Sequence, residues 1–217
     1  MSASPPLVLA SASPRRRELL AELGVAFEVQ PSAIDEHSRE PDPARRATAL
    51  ALAKARAVGE QAPGTFVLGA DTIVVAPEGE MLGKPADTNE ARAMLGALRG
   101  RTHRVLTGVA VVLGERADTE CVATAVRMRA YSDVEVSRYV VRGEPFDKAG
   151  GYGIQDPALA PAASVDGCVC SVIGLPLWSV RRLLSAVGGV EVRAPGLDRC
   201  AACPLRDASA AVEPHAR

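Results

Sequence analysis

The chain has 217 residues, 47% of them hydrophobic and 24% charged, with a formal net charge of −1. That size and apolar content suit one well-buried domain and exclude disorder, and near-neutrality excludes a polynucleotide held by a general positive field. No apolar run reaches the length of a membrane span and the N-terminus lacks an export-signal pattern, so a cytoplasmic protein without membrane association is expected.

In chain order, residues 7–10 (LVLA) predict a short buried strand. Ser13 then stands at a helix N-cap with Pro14 at the first helical position. Leu19, Leu20 and Leu23 give the apolar face, and Gly24 ends the helix. Arg15, Arg16 and Arg17 therefore occupy the first turn, where cations oppose the helix dipole and add to the unpaired backbone N–H groups. Such an end suits an anion, although a solvated basic helix face accounts for the same three residues equally well. "VAFEVQP" alternates as a strand, and the polar, proline-broken residues 32–43 carry the adjacent acids Asp35 and Glu36. Asp42 and Pro43 open a second helix with Ala47, Leu50, Ala51 and Val58 as its buried stripe. Lys54 lies one turn after Leu50, where a lysine either snorkels or enters a cleft.

"TFVLGADTIVV" is the strongest strand signal, and it is interrupted by residues 69–72. A carboxylate among apolar strand residues needs a partner, so Asp71 should face a cation, a metal or a cleft. Lys84 follows, between Gly83 and Pro85, in neither helix nor strand. Asp87 with Glu90 predicts a capped helix, and residues 102–114 and 119–131 predict a hairpin. Ser132 with Glu135 caps another helix that closes at Gly143, and "FDKAGGYGIQ" is a glycine-rich loop carrying Lys148. The last clear helix lies within residues 174–189. Beyond Val190 the chain turns polar and proline-broken, so residues 1–190 form the expected domain and 191–217 a poorly ordered tail.

Of 25 basic residues only Lys54, Lys84 and Lys148 are lysines. A chain that otherwise writes arginine uses lysine where a compact point charge serves better than a planar fork. There is no phosphate-loop, dinucleotide-loop or nucleophile-elbow motif, and His37, His103 and His215 never fall at metal-ligand spacing. Cys168-Val169-Cys170 and Cys200-Ala201-Ala202-Cys203 have the number of thiols a zinc ion needs. Cys168 and Cys170 read as alternating strand residues, however, and reduced cytosolic thiols are the expectation adopted.

Taken together, "SASPRRRELL", "IDE", "LALAKARAV", "LGADTIVV", "LGKP", "GRTHRVLTGVAVV", "DKAGGYGIQ" and "GLPL" resemble, in order and spacing, the Maf family of nucleoside triphosphate pyrophosphatases. The resemblance spans residues 7–184. It implies an α/β, Maf-like (inosine triphosphatase-like) fold of two lobes, with an elongated twisted mixed sheet, flanking helices and a central cleft. It also implies hydrolysis of a nucleoside triphosphate to the monophosphate and pyrophosphate, with dTTP and UTP as the substrates that "SPRR", "ADT" and "GIQ" favour. Carried over by position, Asp71, Lys54, Lys84 and Glu36 are the catalytic set. Ser11, Arg15, Arg16, Thr72 and Gln155 are the substrate-binding set. Glu36 and Asp71 are the ligands offered to Mg²⁺ or Mn²⁺, with the role of Asp71 as base or ligand open. The implied partner is the nucleotide alone, with no nucleic acid and a homodimer left open. The segment after Gln155, "DPALAPAASVDGC", departs from the dTTP/UTP pattern. That departure keeps two alternatives in view, a broad or modified-nucleotide pyrophosphatase and a binding protein regulating septum formation.

Overall fold

The computed structural model describes residues 6–188, 190 and 192–207. Seven strands form one mixed sheet: β1 (Leu7–Leu9), β2 (Phe27–Val29), β3 (Phe66–Val75), β4 (Met81–Leu82), β5 (Thr102–Leu113), β6 (Arg116–Met128) and β7 (Ala162–Asp166). The order is β2-β1-β3-β5-β6-β7, with β4 also on β3. β1 is parallel to β2 and to β3, and the remaining pairs are antiparallel. The helices are α1 (Pro14–Ala21), α2 (Pro43–Gly59), α3 (Thr88–Leu98), α4 (Asp133–Val141), α5 (Val169–Ile173), α6 (Leu177–Gly188) and α7 (Asp198–Ala201).

Local chemistry sets the helix starts. Ser13, Asp42, Asp87 and Ser132 are N-caps whose side chains accept from backbone N–H groups of the first turn, and Ser132 with Glu135 completes a reciprocal capping box. Glu90 reaches back one residue further than a capping box requires, accepting from the N–H of Ala86 at 2.7 Å.

β3 organises the molecule. Its alternating side chains divide between the two faces of the sheet, as the pleat requires. Val67, Ile73 and Val75 pack beneath α2, and Leu68, Ala70 and Val74 pack on the other face. That other face carries two clusters. One joins β1, α1, α5 and α6, and the second joins α3 and α4 with Tyr152 and Leu159. β5 pairs with β3 along residues 67–75, so β1 at 66–68 and β4 at 74–75 share its opposite edge. Residues 69–73 have no strand partner on that edge, and there a cleft of about 860 Å³ opens between the two clusters.

Helix α2 rests on the sheet through two glycines. A Cβ at Gly69 would stand 2.1 Å from the Ala51 carbonyl oxygen, and one at Gly108 would stand 2.4 Å from that of Ala47. Only glycine permits such an approach. Gly108 is the register partner of Asp71.

Two expectations are corrected. Cys168 and Cys170 are not on a strand: Gly167, at φ 122°, ends β7, and Cys168 caps the five-residue α5. Nor are residues 192–207 a loose tail. Val192, Cys200 and Cys203 are buried in the main cluster, and the Arg193 side chain donates to the Glu22 carbonyl at 2.9 Å. Residues 208–217 of the expected tail lie outside the described residues.

Two stability measurements follow. Gly69→Ala should cost about 3 kcal/mol in denaturant unfolding by overpacking α2 against β3. Gly96→Ala, on α3 with open space around it, should stabilise by about 0.5–1 kcal/mol. The second concerns His103, whose Nε2 lies 2.8 Å from the Tyr152 hydroxyl while Nδ1 is buried without a partner among the described residues. Burial pushes its pKa down to about 4. Between an unfolded value near 6.5 and that value the unfolded chain binds the extra proton, so stability falls as pH drops through this window, by up to about 3 kcal/mol. In His103→Gln, the difference in stability from the parent should shrink by that amount on acidification from pH 7 to 4.

Candidate active site

The site is built around Lys54. Because α2 sits so close to β3, this side chain enters the sheet edge and is only 6% exposed. Its Nζ is 2.7 Å from Asp71 Oδ1 and 2.9 Å from Glu36 Oε1. Asp71 is itself buried, so its charge needs this partner. Glu36 comes from the loop between β2 and α2 and is more than half exposed. Burial raises its carboxyl pKa, but the hydrogen bond from Lys54 and the charges of Lys54, Lys84 and Arg16 outweigh that effect and hold it below the usual glutamate value.

Across the cleft stands the N-terminus of α1, where Arg16 is fixed at three of its nitrogens. Nε donates to the Gly174 carbonyl at 2.9 Å, Nη1 to Ser11 Oγ at 3.3 Å and Nη2 to Thr72 Oγ1 at 3.2 Å. Desolvation lowers the Arg16 pKa while Asp71 and Glu36 act against that loss. Thr72 is 3.0 Å from Thr107 Oγ1, and Thr107 donates to the Ser171 carbonyl at 2.8 Å. Ser11 and Thr72 thus orient the guanidinium. Asp71 and Thr72 are neighbours on β3 and point to opposite faces, yet both line the cleft, because the unpaired edge opens it to both sides of the sheet.

Arg15 is drawn instead to the glycine-rich loop, pairing with Asp147 at 2.8 Å. Asp147 also receives Lys148 at 2.6 Å. Burial raises the Asp147 pKa, but hydrogen bonds from Lys148 and Arg15 prevail and keep it below the usual aspartate value. Lys84 is exposed on the turn after β4, lines the cleft and makes no ion pair among the described residues. Gln155 is exposed on the cleft wall. All nine residues singled out from the sequence therefore line one cleft, and Arg17 is exposed outside its lining.

Sequence reasoning missed Arg46, Glu144 and Asp147, which also line the cleft. Arg46 lies two turns before Lys54 on α2, a spacing of eight that puts both on one helix face, and it makes no ion pair among the described residues. Asp147 sits in the same motif as Lys148. No three His, Cys, Asp or Glu side chains among the described residues are already posed to hold a metal ion. No described helix is long and apolar enough to cross a membrane.

The sequence is similar to known proteins over most of its length. The chain is 51% identical over 208 residues to a dTTP/UTP pyrophosphatase of Thermomicrobium roseum, covering 93% of this chain and 94% of that protein. It is 52% identical over 186 residues to a dTTP/UTP pyrophosphatase of Symbiobacterium thermophilum, covering 84% and 94%. A third relative, a dTTP/UTP pyrophosphatase of Moorella thermoacetica, is 52% identical over 189 residues, covering 86% and 96%. The model of the Maf-like protein family matches residues 6–187, a span that takes in every residue of the cleft. With relatives of this identity across most of its length, the chain belongs to the Maf-like protein family.

Proposed function

We propose that the protein hydrolyses dTTP and UTP at the α-phosphorus, releasing pyrophosphate and the nucleoside monophosphate. The observation that carries this reading is the Glu36–Lys54–Asp71 cluster at the open edge of β3, faced by the arginine-bearing N-terminus of α1. The names of the curated relatives agree with it.

A triphosphate brings about four negative charges into the cleft. The lining supplies cations of two kinds. Lys54, Arg15 and Lys148 are already paired with carboxylates, so they are held in place before substrate arrives. Lys84 and Arg46, like Arg16, make no ion pair with a carboxylate among the described residues, and these are the charges left to meet phosphate oxygens. Lys84, a point charge between Gly83 and Pro85, suits the charge that develops on the departing pyrophosphate. Arg16, fixed by Ser11, Thr72 and Gly174, presents a guanidinium whose orientation needs no rearrangement during reaction.

Glu36 and Asp71 fit a hard divalent cation, because their oxygens already converge on one positive centre and carboxylates suit Mg²⁺ or Mn²⁺. When bound, such an ion supplies neutralisation of phosphate charge and polarisation of the scissile bond. Lys54 holds Asp71 Oδ1, which leaves Oδ2 to receive a cation or a proton from the attacking water. Asp71→Asn removes both capacities and should lower kcat by roughly 10²–10⁴-fold. Pyrophosphate release should stop in excess EDTA and return with Mg²⁺ or Mn²⁺. Full turnover in Asp71→Asn or in excess EDTA would overturn the role given to these carboxylates.

Arg46 and Lys84 separate by kinetics. Arg46→Ala should raise KM several-fold with kcat little changed, the signature of a contact made equally in ground and transition states. Lys84→Arg should retain less than about a tenth of kcat, since a planar fork cannot replace a point charge there. Stopped assays over a substrate series distinguish the two patterns.

For the base, Gln155 offers one donor and one acceptor side by side, matching O4 and N3–H of thymine or uracil. Arg15 only donates, so a cytosine amino group facing it would leave donors unpaired at about 1–3 kcal/mol each. A panel of common and modified triphosphates at equal concentration should rank dTTP and UTP first. A purine ranked first would overturn the base assignment and leave the hydrolysis reading intact.

A further inference from the structure

Four of the five cysteines meet away from the nucleotide cleft. Cys168 and Cys170, at the start of α5, face Cys200 on α7 and Cys203 just before the single-turn helix Pro204–Arg206, and none is more than 5% exposed. Cys170 Sγ is 3.5 Å from Cys200 Sγ, and the Cys168 thiol interacts with those of both Cys170 and Cys203. The fifth, Cys121, lies apart on β6 and is half-buried.

We propose that Cys168, Cys170, Cys200 and Cys203 form a structural tetrathiolate site for one Zn²⁺ ion, separate from the cleft and from any cation held by Glu36 and Asp71. Spacing is the first argument. Sulfurs about 2.3 Å from a tetrahedral ion stand about 3.8 Å from one another, close to the separation found here and far from the roughly 2.05 Å of a disulfide. No three of these side chains, nor any other His, Cys, Asp or Glu trio among the described residues, are already posed to hold a metal ion, so side-chain rotation must accompany binding.

The surroundings supply what a thiolate cluster needs. The N–H of Ser171 donates to Cys168 Sγ at 3.4 Å, and the N–H of Leu205 donates to the Cys203 sulfur. A zinc ion with four thiolates carries a net charge of −2. Arg199 acts electrostatically on Cys200 and Arg182 on Cys203, and Arg199 Nε is buried with no hydrogen-bond partner among the described residues. On binding, four S–H bonds give up their protons to solvent and four Zn–S bonds form, with no change of oxidation state. Soft thiolate ligands and a closed pocket select zinc over the hard cations suited to carboxylates.

The segment also needs a tether. Between residues 198 and 206 only Cys200 and Cys203 are buried, and helices of four and three residues cannot hold themselves. Tying them to α5 would fix the wall whose Gly174 carbonyl receives Arg16.

The test uses the full chain produced in zinc-supplemented medium and purified under reducing conditions, with metal content measured by mass spectrometry. One zinc per chain is expected, retained in Cys121→Ser and lost in Cys200→Ser and Cys203→Ser, with a lower melting temperature on loss. Where those variants fail to fold, Co²⁺ added to the reduced, metal-free parent should give the intense visible and sulfur-to-metal bands of a tetrahedral tetrathiolate. Iron in place of zinc, no uptake of Zn²⁺ or Co²⁺, or a Cys170–Cys200 disulfide in the metal-free purified protein would overturn the proposal. Pyrophosphate release with Mg²⁺ is assayed separately, so failure of the zinc site and failure of the hydrolase reading are told apart.

Discussion

The seating of α2 on β3 and β5 is the constraint on which the cleft depends. Gly69 and Gly108 let the backbone of the helix approach until only a hydrogen atom separates it from the sheet at the positions of Ala47 and Ala51. A larger residue at either place would lift the helix, and the Lys54 ammonium would rise with it. The 2.7 Å contact to Asp71 would lengthen, and a carboxylate buried in the strand would lose the charge that balances it. One steric allowance therefore sets the position of the cleft lysine, the partner of a buried acid and, through Lys54, the posture of Glu36.

On the other side of β3 the constraint is a polar relay. Arg16 ties the end of β1, the start of α1, the middle of β3 and the turn after α5 into one unit, since its three partners come from three separate segments. Thr107 extends the relay from β5 to the Ser171 carbonyl. The two sides of β3 therefore do different jobs. One holds charge against charge, and the other fixes direction with neutral acceptors.

Much of this was legible because it rests on local rules. The Ser13 and Asp42 caps, the α2 stripe and the long hairpin all follow from side-chain chemistry within a turn or two. Asp71 was legible for a different reason, as an acid in an apolar strand must have a partner. What the sequence concealed is short or tertiary. α5 and α7 are too brief for a periodicity to appear, and β7, with none of its five residues buried, shows no apolar alternation. Cys170 and Cys200 meet only because the chain returns after α6, which no spacing rule encodes. Arg46 was hidden by the ordinariness of an arginine in an arginine-rich helix, though its distance of eight from Lys54 carried the signal.

The interruption along one side of β3 has a consequence for solubility as well as for binding. A bare strand edge is a template on which another polypeptide can add itself, and long exposed edges invite aggregation. Here the bare portion is five residues, closed at one end by β1 and at the other by β4. An added strand would find at most five residues to pair with before meeting β1 or β4, so the flanking strands limit how far a second chain can extend along this edge.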